Sequence, residues 1–467
     1  MQPALASGPD ATGLRLQRRV RRLRWWAARN ELRSLAGLAW PLALSSVAHN
    51  VISFVDIAMV GRLGATSLAG VSVGSAIFFS LSVVGIGLGA GLDPIVSQAV
   101  GAGEGARVRS ALRAGLTLAA LVSVPLVIAG FLGARALPLA GVDADVTREA
   151  RAFLDGRALG LAPFVLVMAL RSFFQARGFT RPLLVAALAS NVVNVGLNLL
   201  LIYGSPTLGI PALGVLGSGV ASTVAGFVQL GVLVAALRLL PALPTGLDAA
   251  VVRLREVARF GVPIAIALAA EVFAFAGAGV LAARLGAVAA SAHQVALQFV
   301  SLTFTGAMAV AGATSTRVGQ AVGRGDRAGA RRAAAVGVGV GVVYMLTAAG
   351  GFLAIPQALA RLASDQPDVV QVSAGLLLVA ATFQVFDGFQ VITGGALRGL
   401  GDTRTAQAAN VVGYYAVGLP VGVWLAFFVD VGVRGLWWGL SAGLVVVSIV
   451  QGVRLTARLR GPVLRTA

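Results

Sequence analysis

The stretch Arg259-Phe-Gly-Val-Pro263-Ile-Ala-Ile-Ala-Leu-Ala-Ala-Glu271-Val-Phe273 places one carboxylate inside an apolar run long enough to cross a bilayer. The stretch Phe383-Gln-Val-Phe-Asp387-Gly-Phe-Gln390 does the same with a second. Glu271 follows Arg259 by 12 residues, and Asp387 precedes Arg398 by 11. At about 1.5 Å per helical residue each acid sits roughly 16–18 Å from a charged end, near the midplane of a bilayer core roughly 30 Å thick. A carboxylate at that depth is costly unless it is paired, wetted or protonated, so its default reading is functional.

The rest of the chain agrees with a polytopic membrane protein. Of its 467 residues 57% are hydrophobic and only 12% charged, half the charge content of a typical soluble domain. Twelve apolar runs read as transmembrane helices: 35–60, 68–99, 111–133, 149–176, 182–203, 213–239, 257–283, 288–318, 332–354, 369–397, 404–429 and 434–457. The fold class is therefore all-α. Residues 1–34 read as a disordered, Arg-rich tail leading into an interfacial stretch anchored by Trp25 and Trp26. The division expected from composition is a tail (1–34), a first lobe (35–239), a linker with Pro241 and Pro244 (240–256), a second lobe (257–457) and a tail (458–467).

All 37 basic residues are Arg, and their placement sets an orientation. With the N-terminus in the cytoplasm, 29 fall on cytoplasmic segments and eight in the outer half. This is the positive-inside asymmetry, with both termini cytoplasmic and the cell membrane as the location. It accounts for the net charge of +19 without nucleic acid. The chain has no Cys and no Lys, which removes thiolate chemistry and the P-loop lysine. No nucleophile–base pair or metal cluster points to an enzyme, and no cofactor is expected.

The two halves repeat. Arg62-Leu-Gly-Ala65 matches Arg284-Leu-Gly-Ala287, and Gln98-Ala-Val-Gly101 matches Gln320-Ala-Val-Gly323, both at an offset of 222. Six helices per half gives the lobes one orientation, related by a pseudo-axis along the membrane normal. The repeat breaks at the acids: Glu271 aligns with His49, and Asp56 with Ala278. Equivalent helices that carry different polar groups favour function over shared architecture.

Other polar residues form a second group. Asn191, Asn194 and Asn198 share one face of the fifth helix and could complete a site with Asp56; interhelical hydrogen bonding is the plainer alternative. Asp93, before Pro94, reads as a solvated or backbone-bonded residue at a kink. His293, Gln294 and Gln298 open the eighth helix, where a plain polar start competes with a site. The run Gly85-x-Gly87-x-Gly89-x-Gly91 lies inside a span and reads as close helix packing rather than a phosphate loop. Phe54, Phe273, Phe275, Phe299, Phe304, Phe383, Phe386 and Phe389 could line a greasy cavity, with lipid contact as the alternative. No Arg is expected at the depth of Glu271 and Asp387.

At these residues the chain resembles the multidrug and toxic compound extrusion (MATE) family, on its NorM-like branch. The resemblance rests on Asp56 with Met59-Val-Gly-Arg62, Pro94-x-x-x-Gln98-x-x-Gly101, Glu271, Ala292-His-Gln-Val-Ala-Leu297, Gln384-x-x-Asp387 and Leu397-Arg-Gly399. It implies twelve helices in two lobes around a cleft, with organic export coupled to Na⁺ or H⁺ influx. It implies that Glu271 and Asp387 bind the coupling cation, Na⁺ included, and that Phe383 stands where NorM-like members usually carry Tyr. Gln384 and Gln298 belong to the same expected C-lobe site. Asp56, Asn194 and Asn198, with Asn191 beside them, form an expected N-lobe site. The substrates implied are small cationic or amphiphilic compounds, handled by a monomer in the lipid bilayer. The alternative is a flippase for an anionic lipid-linked precursor, which calls for a basic cavity.

Overall fold

The computed structural model describes residues 11–241, 251–462 and 465; residues 1–10, the linker stretch 242–250 and the rest of the C-terminal tail lie outside the described residues. Among the described residues the secondary structure is helical apart from a single bridge between Ser205 and Ile210. Twelve helices are long and apolar enough to cross a membrane. They are α1 (Trp25–Leu63), α2 (Ala65–Ala102), α3 (Gly105–Leu139), α4 (Ala144–Ala176), α5 (Arg181–Tyr203), α6 (Gly214–Leu239), α7 (Leu254–Arg284), α8 (Ala287–Gly323), α9 (Arg327–Ala354), α10 (Pro367–Gly399), α11 (Thr403–Phe427) and α12 (Val433–Arg460). Helices are the structural solution here because lipid offers no partner for backbone N–H and C=O groups.

The first helix departs from the expected disordered tail. It is continuous over Ala11–Val60. The reason lies in its buried stripe: Glu31, Leu35, Ala39 and Leu42 all face inward, about one helical turn apart. Glu31 extends that stripe beyond the apolar run, and Arg317 of α8 holds it through two bonds of 2.7 and 2.9 Å. Trp25 and Trp26 remain exposed, in keeping with the interfacial reading.

Helices α1–α6 and α7–α12 form two lobes. They meet mainly where α2 packs on α7 and α8, and where α1 packs on α8. These contacts gather at the end of the bundle that carries the termini. There the Gln98 amide donates to the Gly399 carbonyl at 2.9 Å, the Gln320 amide to the Ala176 carbonyl at 3.2 Å, and Arg107 to Glu256 at 2.8 Å. The glycine run in α2 is part of this seam: a Cβ at Gly87 would run into the backbone of Ala265 on α7. The repeat motif packs on its own copy, since a Cβ at Gly101 would strike the Gln320 carbonyl and one at Gly323 the Gln98 carbonyl. In the opposite half no hydrogen bond or ion pair joins the lobes among the described residues.

Candidate functional site

Between the lobes lies a cavity of about 290 Å³. Its wall takes Ser46 from α1, Asp93 from α2, Arg171 and Gln175 from α4, Glu271 from α7, and Gln390 and Arg398 from α10. Residues from both halves of the chain therefore face one space, closed off at the termini end by the seam.

Glu271 is on this wall, and Asp387 of α10 lies near it but off the wall. Their charges lie close enough to interact through space. Asp387 is buried, and among the described residues its hydrogen-bond partner is the Gln390 amide at 3.4 Å. Glu271 accepts a hydrogen bond from the Tyr414 hydroxyl at 3.3 Å. Neither acid forms a salt bridge among the described residues. Two carboxylates with so few donors suit a site that takes up a hard cation or a proton, because such ions accept oxygen ligands and neutralise the buried charge.

Other expected members of this site take different places. Phe383 packs against the Trp437 ring, 5.9 Å between centroids, inside the second lobe's core. Gln384 is fully buried and donates to Thr303 on α8 at 2.7 Å, a tie between two helices of one lobe. Gln298 is exposed, and neither it nor Phe383 nor Gln384 is on the cavity wall. Of the aromatic set only Phe304 lines the cavity among the described residues; the Phe54 side chain lies outside them.

The first-lobe group forms around Asp56. Its carboxylate accepts from Asn198 at 2.6 Å, from Asn194 at 3.2 Å and from the Ser222 hydroxyl of α6. Asn194 and Asn198 are fully buried. Asn191 does not join them: its amide donates to the carbonyls of Ala48 and Ala187, binding α5 to α1. It shares their face but sits about one turn, roughly 4.5 Å, back along the helix, level with Ala48 rather than with Asp56. Ser222 was hidden from sequence reasoning because one serine in a small-residue helix carries no signal.

Four polar residues differ from expectation. Asp93 is buried, not solvated, and pairs with Arg398 of the other lobe at 3.3 Å, with the Gln175 amide also at 3.3 Å. His293 is buried and accepts a hydrogen bond from the Trp437 indole at 3.2 Å, so it is no surface helix start. Arg171 and Arg398 line the same cavity as Glu271, although neither pairs with it; Arg171 donates to Ser46 at 2.7 Å. Both Arg lie toward the ends of their helices, where the positive-inside pattern absorbs them.

The family model MatE matches residues 41–200 and 263–424, one match in each lobe. The chain is 34% identical over 432 residues to the probable multidrug resistance protein NorM of Rhodopseudomonas palustris, covering 90% of this chain and 91% of that one. It is 34% identical over 441 residues to the multidrug resistance protein NorM of Vibrio vulnificus strain YJ016, covering 91% and 95%. In structure it is similar to an outward-facing multidrug resistance MATE transporter of the MOP superfamily, with a TM-score of 0.83 and 19% identity over 92% of this chain and 96% of that one. A repeat of six helices, an inter-lobe cleft and two family matches in register with that repeat lead to one conclusion: this chain is a multi-pass membrane protein of the MATE family, on its NorM-like branch.

Proposed function

We propose that this protein is a secondary active multidrug exporter. It exchanges cytoplasmic cationic or amphiphilic organic compounds for Na⁺ or H⁺ by alternating access. The observation that carries the reading is the pair Glu271 and Asp387, two interacting carboxylates without a salt-bridge partner among the described residues, one of them on the wall of the inter-lobe cavity. The NorM relatives, named for multidrug resistance, support the substrate class. With the Arg-rich end in the cytoplasm, the seam closes the cytoplasmic side and the cleft faces outward. A cation entering from outside then meets Glu271 and Asp387, and its binding there competes with an organic cation in the same cavity. Exchange is coupled only if each ligand favours a different facing state.

The anionic-lipid flippase gains little from the cavity. Of its two guanidinium groups Arg398 is engaged by Asp93, and Glu271 faces the same space.

The test is ethidium efflux from proteoliposomes, with inward Na⁺ and inward H⁺ gradients imposed separately. Efflux should follow one gradient and disappear in both Glu271→Gln and Asp387→Asn, with the variants still incorporated in the vesicles. Undiminished coupled efflux in Glu271→Gln would overturn the assignment.

A further inference from the structure

Helix α11 leaves regular α-geometry at Gly413–Gly418, where it makes a π-helical turn. Such turns insert one residue into a helix and are frequent at functional positions. Here the turn redirects two consecutive side chains. In an α-helix neighbours point roughly 100° apart and do not normally reach the same partner. Tyr414 and Tyr415 nonetheless both reach α7, at adjacent residues. The Tyr414 hydroxyl donates to the Glu271 carboxylate at 3.3 Å, and the Tyr415 hydroxyl to the Ala270 carbonyl at 3.1 Å. Tyr414 is fully buried and lies within electrostatic range of Asp387 as well, while Tyr415 is exposed. Phe275 packs against the Tyr414 ring and fixes its plane.

We propose that Tyr414 is the third oxygen of the coupling-cation site, beside Glu271 and Asp387, and that Tyr415 is a positioning residue that holds α7 in register with it. A phenol suits this place because its oxygen has one proton and free lone pairs. With the site empty the proton is donated to Glu271. With Na⁺ bound the same oxygen keeps that bond and presents a lone pair to the cation. With a proton on Glu271 the bond reverses, and Tyr414 accepts. Phe383 brings no oxygen, so the hydroxyl comes from α11.

This inference rests on the antiporter reading, and the experiment separates the two. Ethidium efflux from proteoliposomes is measured against external Na⁺ and against external pH for the wild type, Tyr414→Phe, Tyr414→Gln, Tyr415→Phe and Glu271→Gln. Losing one oxygen ligand to the cation should raise the half-saturating Na⁺ concentration about tenfold in Tyr414→Phe, with the rate at saturating Na⁺ little changed. If protons drive efflux, the pH profile moves to higher pH, because the charged carboxylate has lost a donor. Tyr414→Gln restores an oxygen and a donor, so it should recover part of the cation response. A packing role predicts the opposite order, with Phe close to wild type and Gln worse. Wild-type cation dependence in Tyr414→Phe, or that reversed order, overturns the proposal while coupled wild-type efflux lost in Glu271→Gln keeps the antiporter. Wild-type efflux indifferent to both gradients removes both readings.

Discussion

Three donors converge on Asp56, whereas Asp387 has one long bond from Gln390. The two carboxylates should therefore respond in opposite ways to substitution. Asn198→Ala withdraws one of these donors from a buried charge, at a cost of about 1–3 kcal/mol. It is expected to lower the apparent melting temperature of the detergent-solubilised protein. Asp387→Asn removes a buried charge that is poorly satisfied to begin with, so it should melt no lower than wild type even though coupled efflux is lost. Melting both variants beside the wild type checks the contrast. An Asp387→Asn protein that melts well below an Asn198→Ala protein would mean that Asp387 is mainly a structural residue.

At the scale of the helix, the α2–α7 contact depends on glycine. Gly87→Leu forces the side chain into the Ala265 backbone, and overpacking of this kind costs about 1–3 kcal/mol. The state with the termini end closed bears that cost, so efflux should fall while the yield of monodisperse protein holds. Normal efflux from Gly87→Leu would mean that the helices separate there without consequence. Much at this scale was legible in the sequence: apolar runs gave the spans, and the glycine run gave a packing face. The beginning of α1 was not, because Arg-rich composition conceals a helical stripe that only its partner Arg317 completes. Nor was the reach of Tyr414, since a π-turn shifts the register that helical spacing assumes.

For the molecule as a whole, the pair Asp93–Arg398 joins the lobes at the cavity wall. Residues 305 positions apart, each near a helix end, gave no sign in the sequence that they would meet; the acids Glu271 and Asp387 stood out because their surroundings are apolar for many residues on either side. Asp93→Asn leaves the half-buried Arg398 without its counter-charge, and breaking a buried pair costs up to about 3–5 kcal/mol. The conformation closed at the termini end should become less populated. The chain contains no Cys, so Ser172→Cys on the cavity wall provides a single reporter. A thiol reagent applied from the termini side should label it faster in the Asp93→Asn background; equal rates would show that the pair does not hold the lobes shut.

The motif Gln-Ala-Val-Gly occurs once in each lobe, and the two occurrences touch each other, Gln98 against Gly323 and Gly101 against Gln320. That reciprocity is the mark of an isologous interface, the kind by which two identical subunits recognise each other. A six-helix ancestor bearing a single motif could have paired with another copy of itself through these same atoms. Fusion of two such genes would keep the joint intact while freeing each half to diverge elsewhere, which is where Asp56 on one side and Glu271 on the other now stand without counterparts.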